Sequence, residues 1–234
     1  MEILGIIPAR GGSKSIKRKN LKKMSGKPLI AWSIISALKS NLNRVIISTE
    51  DKKIAKTAKK YGADIPFIRP ENLAQDTTPI EPVLQHALEW LEKNENYKPD
   101  AVALLQSTNP LRQSFHINEA IKIFKKTKAD SVVGVHEAIA NNNPYWILKK
   151  NKSGKVILAT GEPLTKIKNR RQELPRHYIR NDIIYLFKPK NLFEKKPNLY
   201  GKKVELYIAS QDFDIDINTI SDWKMCEYKI KKYK

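Results

Sequence analysis

Glu2-Ile3-Leu4-Gly5-Ile6-Ile7-Pro8 passes directly into Ala9-Arg10-Gly11-Gly12-Ser13-Lys14, and after Ser15-Ile16 the chain continues as Lys17-Arg18-Lys19-Asn20. The first part is a nearly unbroken apolar run, the pattern of a strand buried on both faces. Such a strand needs cover on each side, so helices are expected above and below it. The second part is a basic loop opened by two glycines. Glycines let backbone N–H groups approach and curl around phosphate oxygens. Arg10, Lys14 and Lys19 can offset the charge of a triphosphate. The loop follows the carboxyl end of the strand, where open α/β sheets bind their ligands. It is no dinucleotide fingerprint, which needs a third glycine, and no P-loop, since Gly26-Lys27-Pro28 lacks the Ser or Thr that must follow the Lys.

Outward from this loop, β-branched runs alternate with helical patterns. The spacing predicts helices over 28–40, 51–61, 79–94 and 114–126, and strands over 44–49, 64–68, 100–106 and 131–136. Asp51 is placed to cap its helix and Gly62 to end it. Ser114 is the expected cap of the fourth helix. This rhythm predicts an α/β fold, a doubly wound and mostly parallel sheet. It breaks over 137–175, which is polar and rich in Asn, Lys and Pro, with hairpin-like turns at 152–154 and 160–163. We read 137–180 as an inserted arm within a single domain spanning 1–234. Strands are expected again over 181–187 and 204–208, with a closing helix over 221–232.

Composition narrows the class. The 41% hydrophobic content excludes compositional disorder. Basic residues outnumber acidic ones by 44 to 24, a net charge of +20. That favours anionic partners such as nucleotides, acidic sugars, nucleic acid or a membrane surface, although most of the charge is Lys scattered along the chain. Cys226 is the single cysteine, so no disulfide forms within the chain. The four histidines show no metal-ligand spacing and are expected as surface or core residues. No apolar run is long enough to span a bilayer. The N-terminus enters a strand pattern without a signal-peptide layout, so a cytoplasmic location is expected.

Three other segments carry candidate chemistry. In Gln211-Asp212-Phe213-Asp214-Ile215-Asp216-Ile217, an extended chain would turn Phe213, Ile215 and Ile217 inward and aim Asp214 and Asp216 together into a cleft. Two carboxylates on one face repel unless a cation lies between them, and Mg²⁺ commonly takes one or two carboxylates plus phosphates. Leu104-Leu105-Gln106-Ser107-Thr108-Asn109-Pro110-Leu111-Arg112 is another strand end feeding a polar turn, where the Gln106 amide can read a base edge or a sugar hydroxyl. Arg69-Pro70-Glu71-Asn72-Leu73-Ala74-Gln75-Asp76-Thr77 is a loop after the third predicted strand.

In this order and at these spacings, the segments resemble the N-acylneuraminate cytidylyltransferases. The resemblance rests on Ile7–Lys14 with Lys19-Asn20-Leu21, on Arg69-Pro70-Glu71 with Leu73-Ala74 and Asp76-Thr77, and on Gln106 with Pro110-Leu111-Arg112. Arg171-Gln172 with Leu174-Pro175, and Asp214-Ile215-Asp216, complete it. It implies coupling of CTP to the anomeric hydroxyl of a sialic-acid-like nonulosonic acid, with release of pyrophosphate. It implies that Ala9, Arg10, Gly11, Gly12, Ser13, Lys14, Asn20, Arg69 and Thr77 hold the nucleotide. Gln106, Arg112, Arg171, Arg180 and Asn181 would hold the sugar. Arg10, Lys19, Asp214 and Asp216 would be catalytic, with Mg²⁺ on the two aspartates. The 137–180 arm would be a homodimerisation element reaching into the partner's site, so that Arg171 and Arg180 act across the dimer. Two positions depart from the family pattern: Ser15 and Asp182 each stand where a glycine is usual.

Two rival readings remain at the level of sequence. A cytidylyltransferase for 3-deoxy-manno-octulosonate shares the Pro-Ala-Arg opening, but Ser13-Lys14 and Lys19-Asn20 favour the sialate type. A basic nucleic-acid-binding protein would account for the charge, but no element interleaves aromatic with basic residues and no recognition signature is present. No nucleic-acid or membrane partner is therefore expected.

Overall fold

The computed structural model describes residues 1–232, so the last two positions of the expected 1–234 unit lie outside the described residues. Six strands form the central sheet: β1 (Ile3–Pro8), β2 (Arg44–Ser48), β3 (Ala101–Leu104), β4 (Ser131–Glu137), β5 (Tyr178–Phe187) and β6 (Val204–Ile208). Their spatial order is β6-β4-β5-β3-β1-β2. All pairings are parallel except those of β5, which runs antiparallel to both β3 and β4. The helices are α1 (Leu29–Leu38), α2 (Lys52–Lys60), α3 (Ile80–Glu95), α4 (Ser114–Thr127) and α5 (Ile220–Lys232).

The apolar run of β1 explains the layering. Ile3 and Ile7 face one way, where Ile30, Ile34, Ile54, Ala58, Ile117 and Phe124 of α1, α2 and α4 cover them. Leu4 and Ile6 face the other way, against Leu84, Ala87, Leu88 and Leu91 of α3. Helices on both faces of a mostly parallel sheet are the architecture the alternation predicts. A third cluster joins Ile16 and Met24 to Leu111, Ile217, Trp223 and Cys226, and so docks α5 behind the basic loop.

Local chemistry sets most boundaries. The Asp51 carboxylate accepts from the Lys53 and Ile54 N–H groups, capping α2, and Gly62 follows that helix at φ +90°. Three expectations need correction. Residues 64–68 form no strand: Asp64 makes a single bridge to Ile46 at the sheet edge before the chain turns away. The cap of α4 is Gln113, not Ser114. Gln113 and His116 satisfy each other's backbone N–H groups in a reciprocal box. Residues 211–217 are a short 3-10 turn, Gln211–Phe213, followed by extended chain outside the sheet.

Between β4 and β5 the chain forms the small hairpin Leu148–Lys150 with Val156–Leu158 and three isolated 3-10 turns. β5 begins at Tyr178, three residues before its expected start at Asn181. β5 thus runs past the carboxyl end of β3 and level with that of β4, where Tyr178 pairs with Glu137, and so reaches the site.

Candidate active site

Two adjoining cavities open at the carboxyl ends of β1 and β3. The first, of about 260 Å³, is walled by Arg10, Gly12, Ser13, Lys19, Asn20, Arg69, Asp76, Gln106 and Ser107, among others. The second, of about 490 Å³, is walled by Gln106, His136, Arg180, Asn181, Asp182, Tyr185, Asp214 and Asp216, among others. Gln106 and Ile80 belong to both walls. One cavity is therefore rimmed by cations, the next by carboxylates, and an amide stands at their junction.

The parallel pairing of β1 and β3, which sets Ile6 against Leu104, brings the loop after Pro8 beside the loop after Leu104. Asn20 ties them together. Its Nδ2 donates to the Arg10 carbonyl at 2.9 Å, and its Oδ1 accepts from the Ser107 hydroxyl at 2.8 Å. Arg69 is shut into the wall and donates to Glu50 at 2.8 Å, while its buried Nε has no protein partner. Lys19 donates to the Ile217 carbonyl at 2.8 Å. Burial lowers the pKa of Lys19, against the opposing field of Asp216, and Arg10 lowers it further.

The expected nucleotide contacts differ from the structure at four residues. The Ala9 side chain lies in the core and its N–H is bonded to the Ser48 carbonyl. The Gly11 N–H donates to Glu50 at 2.6 Å, so it is not free for a phosphate. A Cβ on Gly11 would sit 2.6 Å from Asp51, so the glycine here serves a close approach to the α2 cap. Lys14 stands outside the cavity wall and pairs with Asp76 at 2.6 Å. Arg10 pairs with the same carboxylate. Thr77 is exposed and outside the wall, whereas its neighbours Asp76 and Thr78 line it.

The second cavity owes its shape to a lapse in the β4–β5 ladder. Val133 pairs with Tyr185 but Val135 pairs with Arg180, so residues 181–184 of β5 bulge. Gly134 faces the bulge, and a Cβ there would lie 2.7 Å from Asn181 Oδ1 and about 3.0 Å from the Ile184 backbone. Asn181 Oδ1 accepts from the Ile183 N–H at 3.2 Å. Arg112 fastens the rest. It is fully buried and donates to the carbonyls of Ile183, Asp182 and Gln106 and to the Ser33 hydroxyl. The expected sugar contact from Arg112 is thus corrected: its donors are spent on the scaffold. Arg180 lines the cavity, with Nη1 3.2 Å from the Tyr200 hydroxyl. Arg171 lies exposed in the segment between β4 and β5 and reaches neither cavity of its own chain.

Asp214 and Asp216 face this second cavity, as their two-residue spacing predicts, although the chain there is not a strand. Phe213, Ile215 and Ile217 pack on the third core cluster and hold the segment in place. One oxygen of Asp214 lies 2.6 Å from His136 Nδ1, and one oxygen of Asp216 accepts from Asn218 at 2.6 Å. Burial raises the pKa of Asp214, against the pull of His136.

A family model described as cytidylyltransferase matches residues 4–216, which takes in both cavities. The chain belongs to the cytidylyltransferase family. It is 35% identical over 232 residues to the post-translational flagellin modification protein B of Campylobacter coli, covering 99% of this chain and 96% of that one. It is 34% identical over 228 residues to the CMP-N,N'-diacetyllegionaminic acid synthase of Legionella pneumophila, covering 97% and 95%. Among solved structures, a CMP:2-keto-3-deoxy-manno-octonic acid synthetase complexed with CTP superposes over all of both chains with a TM-score of 0.72. At 15% identity that likeness bears on fold alone.

Sequence reasoning missed three residues of this candidate site. Glu50 binds both Gly11 and Arg69, His136 abuts Asp214, and Asp76 holds Arg10 and Lys14. Asp76 lay within a quoted segment. Glu50 and His136 sit two residues past β2 and near the end of β4, so position at a strand's carboxyl end was the signal available for them.

Proposed function

We propose that the protein couples CTP to the anomeric hydroxyl of a sialic-acid-like nonulosonic acid, forming the CMP-sugar and pyrophosphate. The observation that carries this reading is the junction at Gln106, where a cation-rimmed cavity meets a carboxylate-lined one. The first would take the triphosphate against Arg10, Lys19 and Arg69, whose buried Nε has no protein partner. The second would take the sugar against Gln106, Arg180 and Asn181. The name of the Legionella relative, a synthase of a CMP-linked legionaminic acid, supports this substrate class.

The sugar hydroxyl oxygen attacks the α-phosphorus in line and loses its proton. The bond from the α-phosphorus to the bridging oxygen breaks, and pyrophosphate leaves. Positioning and charge stabilisation supply most of the rate in such transfers. Arg10 and Lys19 stabilise charge on the leaving group. Asp214 and Asp216 fit Mg²⁺: both line one cavity wall, only one oxygen of each is engaged, by His136 and by Asn218, and the donor set is oxygen-only. An ion held there would draw its other ligands from phosphates and water. Bound there, Mg²⁺ would polarise the α-phosphate.

We further propose a homodimer built through the 137–180 segment, which would bring Arg171 to the partner's site. The exposed Val204 and Leu206 at the β6 edge support this reading, because an apolar sheet edge calls for cover. No described helix is long and apolar enough to cross a membrane.

Incubation with CTP, Mg²⁺ and a mixed pool of keto-sugar acids, followed by mass spectrometry, tests the activity. A CMP-nonulosonate is the expected product. Consumption of the octulosonate alone, or no pyrophosphate release with any acid, overturns the assignment.

A further inference from the structure

Among the described residues of the sugar-side wall, Asp182 is the carboxylate that makes neither a hydrogen bond nor an ion pair, whereas Asp214 meets His136 and Asp216 meets Asn218. The Asp182 backbone is fixed: Arg112 holds its carbonyl at 2.9 Å, and at the next residue, Ile183, Arg112 donates to the carbonyl while the N–H donates to Asn181. Its side chain lines the cavity and accepts no hydrogen bond from any described residue. The nearby cations make their hydrogen bonds elsewhere, Arg112 to backbone oxygens and the Ser33 hydroxyl, and Arg180 to Tyr200. Asp214 and Asp216 share the same wall. Burial, and then the field of Asp216, disfavours the charged form of Asp182, against the pull of Arg112 and Arg180. A carboxylate held rigidly in such a place gains only from an occupant that brings hydrogen-bond donors, because an ionised carboxylate is acceptor-only. It repels an anion or a bare carbonyl oxygen.

Resting on the reading of this cavity as the sugar site, we propose that Asp182 is a specificity-determining residue, accepting hydrogen bonds from an N–H or O–H substituent of the sugar. It selects acids that present a donor at that point and turns the sugar's own carboxylate away, toward Arg180. Donors left unmet on a buried acceptor are where polar sites discriminate most.

The test uses the whole enzyme with CTP and a panel of nonulosonic acids, each lacking a different N–H or O–H donor. For the wild type, one analogue should lose on the order of 10- to 100-fold in kcat/KM, the scale of one hydrogen bond to a charged group. Asp182→Asn and Asp182→Gly should raise KM for the intact sugar and leave KM for CTP unchanged. In Asp182→Gly that analogue should lose nothing further, and in Asp182→Asn, whose amide oxygen still accepts, it should lose less than in the wild type. Two variants are needed because Gly also loosens the bulge. Wild-type discrimination across the panel in Asp182→Gly overturns the inference while leaving the proposed activity standing. No turnover of any acid by the wild type overturns both.

Discussion

His136 Nδ1 lies 2.6 Å from a carboxylate oxygen of Asp214, joining the end of β4 to the chain that follows β6. The histidine is nearly buried, and the rest of its ring belongs to the cavity wall. Its place beside one proposed metal ligand makes it a positioning residue. We expect His136→Ala to lower kcat by roughly 10- to 100-fold, the usual cost of losing the partner that orients a ligand. Folding should be retained, as checked by circular dichroism. Unchanged pyrophosphate release would mean that Asp214 is held in place without it.

Arg10 and Asp216 flank the proposed reaction from opposite walls, one on the nucleotide side and one on the sugar side. Removal of a single charged group of this kind costs on the order of 10²–10³ in rate. Arg10→Ala and Asp216→Ala should each fall at least that far in steady-state turnover, with melting temperatures near wild type. Chelation of divalent ions should abolish turnover, and added Mg²⁺ should restore it. Near-wild-type rates in either variant would remove that residue from the site.

The sheet, its order of elements and both apolar faces of β1 follow from local pattern, because burial on two sides leaves a continuous apolar run and burial on one side a periodic one. The Asp214 and Asp216 pair was legible for the same reason: two-residue spacing puts both on one face whether or not the chain joins a sheet. Arg112 was not legible. Its scaffold partners Asp182, Ile183 and Ser33 lie 70, 71 and 79 residues away, and no local pattern reports where a guanidinium will be enclosed. Residues 64–68 failed for the opposite reason. They carry strand-like residues, but only Asp64 meets a strand to pair with, at Ile46.

Arg112 therefore makes a separate prediction. Burial lowers its pKa to about 9, and it remains cationic at neutral pH. Arg112→Met should strand the carbonyls of Gln106, Asp182 and Ile183 in the interior, at about 1–3 kcal/mol for each acceptor left unpaired. Arg112→Lys should recover only part of this, since one ammonium cannot reproduce the planar fork. Denaturant titration of both variants measures the loss. A direct sugar contact would instead leave stability unchanged and raise KM for the sugar.

His116 gives the chain a pH-dependent stability. Its ring is almost wholly buried, packed on Phe115 and Phe213, and Nδ1 accepts the Gln113 N–H at 2.9 Å. Burial, then the Arg112 charge, pulls its pKa from 6.5 down to about 4. The unfolded chain therefore binds a proton in this range that the folded chain refuses. Stability is full above about pH 6.5 and falls as the pH drops toward 4, by about 3 kcal/mol at most from this one group. His116→Gln keeps an acceptor for the Gln113 N–H and removes the proton site. The fall in melting temperature between pH 7 and pH 4.5 should then be smaller in the variant than in the wild type, whatever the variant's stability at pH 7. Equal falls in the two proteins would show that His116 takes up its proton in the folded state as readily as in the unfolded one.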